Sequence, residues 1–167
     1  MHKSVVYGVW LLILFTAGCS SKETRKEELV DKDADPILDP YFEIVDALSN
    51  DDFKAVQKAG MELYNVEASA GPKLALVRMG RLIVEAPSRL EQQNVFLQMG
   101  VVLPLYLEQI SLHDFPIYKF RCTEVFDGKE GVWFSRTKES FNPYKGKRSK
   151  ECIELTETIA PVKQIEE

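Results

Sequence analysis

Residues 122–152 read CTEVFDGKEGVWFSRTKESFNPYKGKRSKEC, and the organisation of the whole chain follows from this stretch. Cys122 and Cys152 bound it, with Phe126, Trp133, Phe134, Phe141 and Tyr144 crowded between them. Asp127-Gly128 reads as one turn and Asn142-Pro143-Tyr144-Lys145-Gly146 as another. Residues 116–122 and 131–135 are short, aromatic and β-branched enough to be strands, and residues 152–159 alternate like a last strand or extended arm. A segment this irregular and this rich in large rings needs a scaffold to pack on.

The scaffold lies upstream. Asp35 or Asp39, each followed by proline, can cap a first helix whose stripe is Tyr41, Ile44, Val45 and Leu48. Asn50 reads as the cap of a second helix with Phe53, Val56, Ala59, Gly60, Leu63 and Val66 inward, ending at Ser69-Ala70-Gly71-Pro72. A third helix over 73–85 places Leu74, Val77, Leu82 and Val84 inward and stops before Pro87. Ser88 with Glu91 forms a capping box for a fourth helix over 89–111. Its inward residues are Leu90, Phe96, Met99, Leu103, Tyr106, Leu107 and Ile110, and Pro104 predicts a kink near Gly100 rather than a break. Met61, Met79 and Met99 sit in different helices and read as core fillers. The expected fold is mainly α, an antiparallel four-helix bundle with a C-terminal irregular, short β segment packed on it.

The amino terminus says where this domain works. Lys3, the apolar run 5–15 and the small residues Thr16-Ala17-Gly18 before Cys19 make residues 1–18 a secretory signal. The run is shorter than the ~20 residues that span a bilayer. Small residues directly before a cysteine resemble the lipobox of bacterial lipoproteins, which implies that Cys19 carries lipid. Residues 19–35 are then the lipidated cysteine and a disordered tether, SSKETRKEELVDKDAD, too poor in apolar groups to offset the entropy of ordering it. Residues 36–160 form a single domain and 161–167 a tail. The expected location is the cell envelope, on the periplasmic or outer surface of a membrane.

The formal charge of the 167 residues is −5, and −6 once Lys3 leaves with the signal. Acidic and basic groups are interspersed, so no stripe suits a phosphate backbone and nucleic acid is not an expected partner. With Cys19 lipidated, Cys122 and Cys152 are an even pair in a compartment where disulfides persist.

The order of landmarks Cys122, Asp127-Gly128-Lys129, Trp133 with Ser135, Asn142-Pro143-Tyr144, Gly146 and Cys152 resembles a bacterial family of uncharacterised extracytoplasmic domains. Members occur alone in lipoproteins and at the carboxyl end of heavy-metal (RND-type) efflux adaptor subunits. The resemblance covers residues 36–159. It implies copper or a similar soft ion as ligand, and efflux or other envelope proteins as partners. This chain departs from the family at the presumed ligands: Cys122-Thr123-Glu124 stands where the family has Cys-Pro-Met, Ser149 where it has a later methionine, and Val95 near the place of a frequent histidine. Sites without thioethers lose most of their preference for Cu(I).

Three readings of the cysteine pair stay open. The first is a disulfide closing a loop of about 30 residues. The second is a thiolate metal site that adds His113 and Glu124, each of which also reads as an ordinary surface residue. The third is a redox pair, which more often has Cys-x-x-Cys spacing. Trp133, Phe134 and Tyr144 read as a seal on the bundle or as a binding surface. No nucleophile elbow or phosphate loop is present, and the expectation is a binding or accessory protein, not an enzyme. The alternative is a structural or protein-interaction lipoprotein that keeps the fold without metal.

Overall fold

The computed structural model describes residues 35–110, 115–126 and 128–161, all within the unit Asp31–Glu167. Four helices come first: α1 (Leu38–Ser49), α2 (Phe53–Tyr64), α3 (Gly71–Glu85) and α4 (Arg89–Leu107). Three strands follow: β1 (Ile117–Cys122), β2 (Gly131–Ser135) and β3 (Glu154–Ile159). The signal, Cys19, all of the tether except Asp35, His113, Asp127 and residues 162–167 lie outside the described residues.

Short polar side chains set the helix boundaries. Asp35 Oδ1 accepts from the N–H groups of Ile37 and Leu38 at 2.8 and 2.9 Å, so Asp35 caps α1. Asp39 pairs instead with Arg136, whose guanidinium lies over the rings of Phe42 and Phe115. The second cap differs from expectation. Asp52 Oδ1 accepts from Ala55 N at 3.0 Å, while Asn50 closes α1 by donating from Nδ2 to the Asp46 carbonyl. Asp51, at φ 55°, turns the chain between the two helices. Ser88 Oγ accepts from Glu91 N, and α4 passes through Gly100 and Pro104 as one helix, ending at Leu107 rather than near residue 111.

Each helix packs on the next. α2 and α3 meet at Gly60 and Gly80, where a Cβ on Gly80 would stand 2.8 Å from the Gly60 carbonyl oxygen. That close crossing fixes the rotation of α3: Leu76, Val77 and Ile83 turn inward, and Leu82 is 49% exposed rather than buried. On α4 the inward face is Phe96, Met99, Gly100, Leu103 and Tyr106. Leu90 lies opposite that face in the helical period and is 53% exposed, also against expectation. Met61, read as a core filler, is exposed on α2.

The strands form an antiparallel sheet in the order β2-β1-β3, with Phe120 opposite Trp133 and Cys122 opposite Gly131. β2 lies against α1 and α4. It approaches so closely that a Cβ on Gly100 would collide with the Val132 carbonyl. β3 is almost wholly exposed and is tied to β1 by Lys119–Glu157 at 3.3 Å and Arg121–Glu154 at 2.7 Å. These solvent-facing pairs set register more than stability.

Candidate functional site

The cysteine-bounded segment folds back on itself around Asn142. This residue is fully buried, and its amide uses both ends. Oδ1 accepts from Tyr144 N at 3.0 Å and Lys145 N at 3.3 Å, and Nδ2 donates to the carbonyls of Glu151 and Cys152 at 3.0 and 3.4 Å. The turn before Gly146 and the approach to Cys152 are thereby held by one side chain. Sequence reading recognised the turn but not this role, because nothing in one chain distinguishes a buried hub asparagine from an ordinary turn asparagine.

That hub places Cys152 beside the end of β1. Cys122 and Cys152 are bonded to each other, with Cα atoms 5.0 Å apart, inside the span such a bridge requires. Cys122 is buried while Cys152 is exposed. Cys122 Sγ also lies 3.4 Å from the Glu124 carbonyl oxygen, a contact and not a hydrogen bond, since a bonded sulfur carries no proton.

Aromatic rings of the helices, β1 and the cysteine-bounded segment form a continuous packed series. Tyr41 stacks on Phe96 (centroids 5.6 Å apart), Phe96 meets Tyr144 (5.5 Å), Tyr144 meets Trp133 edge-on (6.1 Å), and Trp133 stacks on Phe120 (5.6 Å). Each polar tip has a partner. Trp133 Nε1 donates to Ser140 Oγ at 2.9 Å, and Tyr144 Oη donates to the Val132 carbonyl at 3.1 Å. Gln93 on α4 donates from Nε2 to the carbonyls of Pro143 and Tyr144 at 2.9 and 2.8 Å. Burial pushes the hydroxyl pKa of Tyr144 well above the ordinary tyrosine value, and the nearby Tyr41 adds to that effect. Trp133, Phe134 and Tyr144 are therefore sealed against the helices and not displayed as a surface.

A second fastening joins the segment to the α1–α2 corner. Arg89 Nη2 lies 2.7 Å from Asp51 Oδ1, Lys147 Nζ lies 3.9 Å from Asp51 Oδ2, and Arg148 N donates to the Ser49 carbonyl. Gly146, Lys147 and Arg148 all have positive φ, and a Cβ on Gly146 would strike Asp51. Burial raises the pKa of Asp46 on the same corner, an effect partly offset by Arg148.

Bonded to each other, Cys122 and Cys152 offer no thiolate to a soft metal ion; Glu124 is exposed, and His113 lies outside the described residues. Among the described residues no three His, Cys, Asp or Glu side chains come together as a ligand set. The side chains of Gln93, Trp133, Asn142 and Tyr144 hold the loops together.

No family model, curated protein or solved structure matches the chain.

Proposed function

We propose that this chain is an extracytoplasmic, lipid-anchored accessory protein without catalytic activity. In this reading Cys19 carries the lipid, the charged stretch behind it is a tether, and the helices act as an antiparallel bundle that supports the cysteine-bounded segment. The observation that carries the reading is the amino-terminal pattern, a short apolar run and Thr16-Ala17-Gly18 directly before Cys19. A bonded cysteine pair, characteristic of exported domains, supports it. Replacing Cys19 with alanine should release the protein from the membrane fraction. Unchanged partitioning of that variant would reject the anchor.

The resemblance to domains of heavy-metal efflux adaptors implies a role beside copper handling, with efflux or other envelope proteins as partners. Within the proposal, the bonded cysteines and the missing Cys-Pro-Met favour the version in which the chain keeps the frame and acts structurally or through protein contacts. Titration with Cu(I), Cu(II) and Zn(II) before and after reduction separates the two versions. Tight Cu(I) binding by the reduced protein would restore the metal role, and no binding in either state would leave the structural one.

A further inference from the structure

The two ends of the Cys122–Cys152 bond stand in different surroundings. Cys122 is 1% exposed and belongs to the apolar core, at the last rung of β1 opposite Gly131. That rung is packed so tightly that a Cβ on Gly131 would stand 2.5 Å from the Tyr144 ring and 2.6 Å from Val125. Cys152 is exposed and belongs to no helix or strand. Its φ is 54°, in the left-handed region, and its carbonyl receives a long hydrogen bond of 3.4 Å from Asn142.

This asymmetry decides where the bond can be opened. In thiol–disulfide exchange the incoming sulfur displaces one sulfur of the bond from the other, so access to the attacked atom limits the reaction. Attack on Cys152 comes from the side away from the buried Cys122 and expels Cys122 within the core. Attack on Cys122 needs a path to a residue that solvent does not reach. A released Cys122 stays at the end of β1, where its regained S–H has the Glu124 carbonyl oxygen 3.4 Å away as acceptor. A buried thiol held in this way is inert, whereas an exposed one reacts.

We propose that Cys152 is a thiolation site, at which low-molecular-weight thiols and disulfides exchange with the bond, and that Cys122 is the internal resolving thiol. Opening begins with an external thiolate attacking Cys152 Sγ. The Cys122–Cys152 bond breaks, Cys122 leaves with the electron pair and takes a proton from water, and Cys152 is left in a mixed disulfide. Closing is the reverse: Cys122 loses that proton, attacks Cys152 Sγ and expels the external thiolate. Starting from the reduced chain, an external disulfide is the oxidant; it is reduced to two thiols while the two protein thiols are oxidised. An adduct on Cys152 leaves Cys122 in the core and falls two residues before β3, which is tied to β1 by the solvent-facing pairs Lys119–Glu157 and Arg121–Glu154. Thiolation thus acts on the exposed edge of the sheet, and it does so whether or not Cys19 carries lipid.

The test uses the full chain with its bond formed. Reduced glutathione is added at neutral pH, samples are quenched with acid at successive times, free thiols are alkylated, and peptide mass spectrometry assigns each adduct to its cysteine. The expected first product carries glutathione on Cys152 and the alkyl group on Cys122. Glutathione on Cys122, or shared evenly between the two, overturns the proposal. A bond that opens only after denaturant is added also overturns it, because exchange then needs unfolding and not an exposed Cys152. The reduced chain treated with glutathione disulfide and quenched in the same way decides the case in which both thiols are alkylated before any adduct is caught: an adduct on Cys152 upholds the assignment, and one on Cys122 or on both equally overturns it.

Discussion

The hydroxyl of Tyr41 on α1 accepts a hydrogen bond from the backbone N–H of Phe134 on β2 at 3.2 Å, across 93 residues of sequence. Tyr41 is fully buried, as is the main chain it receives, so this bond joins the helical half to the sheet in a place water does not reach. Tyr41→Phe keeps the ring packing on Phe96 and removes only the acceptor. The buried N–H of Phe134 is then left without its partner, and we expect a loss of ~1 to 3 kcal/mol in denaturant unfolding. A change of only a few tenths would mean that the N–H finds another acceptor.

Gly100 and Val132 form the second join between the halves. A Cβ at position 100 meets the Val132 carbonyl, which is backbone and cannot rotate away. Gly100→Ala should therefore cost ~1 to 3 kcal/mol by forcing α4 and β2 apart, although alanine favours helix at an ordinary position. Unfolding midpoints of the variant and the parent decide the sign, and a gain in stability would show that α4 shifts freely.

How much of this was legible beforehand depends on the kind of contact. Tyr41, Ile44, Val45 and Leu48 mark the inner face of α1 correctly because an amphipathic helix writes its orientation in its period. α3 and α4 write it less clearly, since apolar residues occur on several sides. Their rotation is decided by Gly60, Gly80 and Gly100, whose missing side chains let a neighbour come close. β2 coincides with the strand that the pattern predicts over 131–135, whereas β3 begins at Glu154, two residues after the expected start. Asn142, Gln93 and the Asp51–Arg89 pair went unread as joints, because each gains its role only when distant segments meet.

Asn142 offers the sharpest test of the segment's internal order. Asn142→Ala removes the side-chain acceptor of the buried Tyr144 N–H and the donor to the Glu151 and Cys152 carbonyls, and a cost of ~1 to 3 kcal/mol is expected. Amide hydrogen exchange should rise first at Tyr144, whose buried N–H loses the Oδ1 acceptor, while Lys145 N–H keeps the Asn142 carbonyl. Uniform acceleration through α1–α4 would contradict this local role.

Alkaline pH probes the buried tyrosines. Burial raises the pKa of Tyr41 far above its ordinary 10.0, with the Phe134 hydrogen bond lowering it only in part, and Tyr144 is raised by burial as well. A raised folded-state pKa contributes stability that is fully present below the unfolded value and is lost as pH rises beyond it. Stability should accordingly fall above pH 10.0, because the unfolded chain ionises there and the folded one resists. The tyrosinate absorbance of Tyr41 and Tyr144 should appear only together with loss of helical circular dichroism. Ionisation of either one in the Tyr41→Phe and Tyr144→Phe pair without unfolding would show that the rings are accessible to solvent.

The Cys122–Cys152 bond closes a loop with a sequence separation of 30, which the chain-entropy model makes worth ~3 to 4 kcal/mol. Its place in the fold predicts where that stability goes. Cys122 ends β1 opposite Gly131, and Cys152 is held next to Asn142 by the amide that also shapes the 142–146 turn. The helices, by contrast, touch the segment through Tyr41, Gln93 and Gly100 and pack on one another independently of the bond. Reduction, or Cys152→Ser, should thus loosen residues 122–159 while most helical signal survives. Fluorescence of Trp133 and amide exchange in β1–β3 report the first effect, and far-ultraviolet circular dichroism reports the second. Simultaneous loss of both signals at the same denaturant concentration would mean that the bond stabilises the whole unit and not the segment alone. Two free thiols in protein isolated from an oxidising compartment would mean that the bond does not form there.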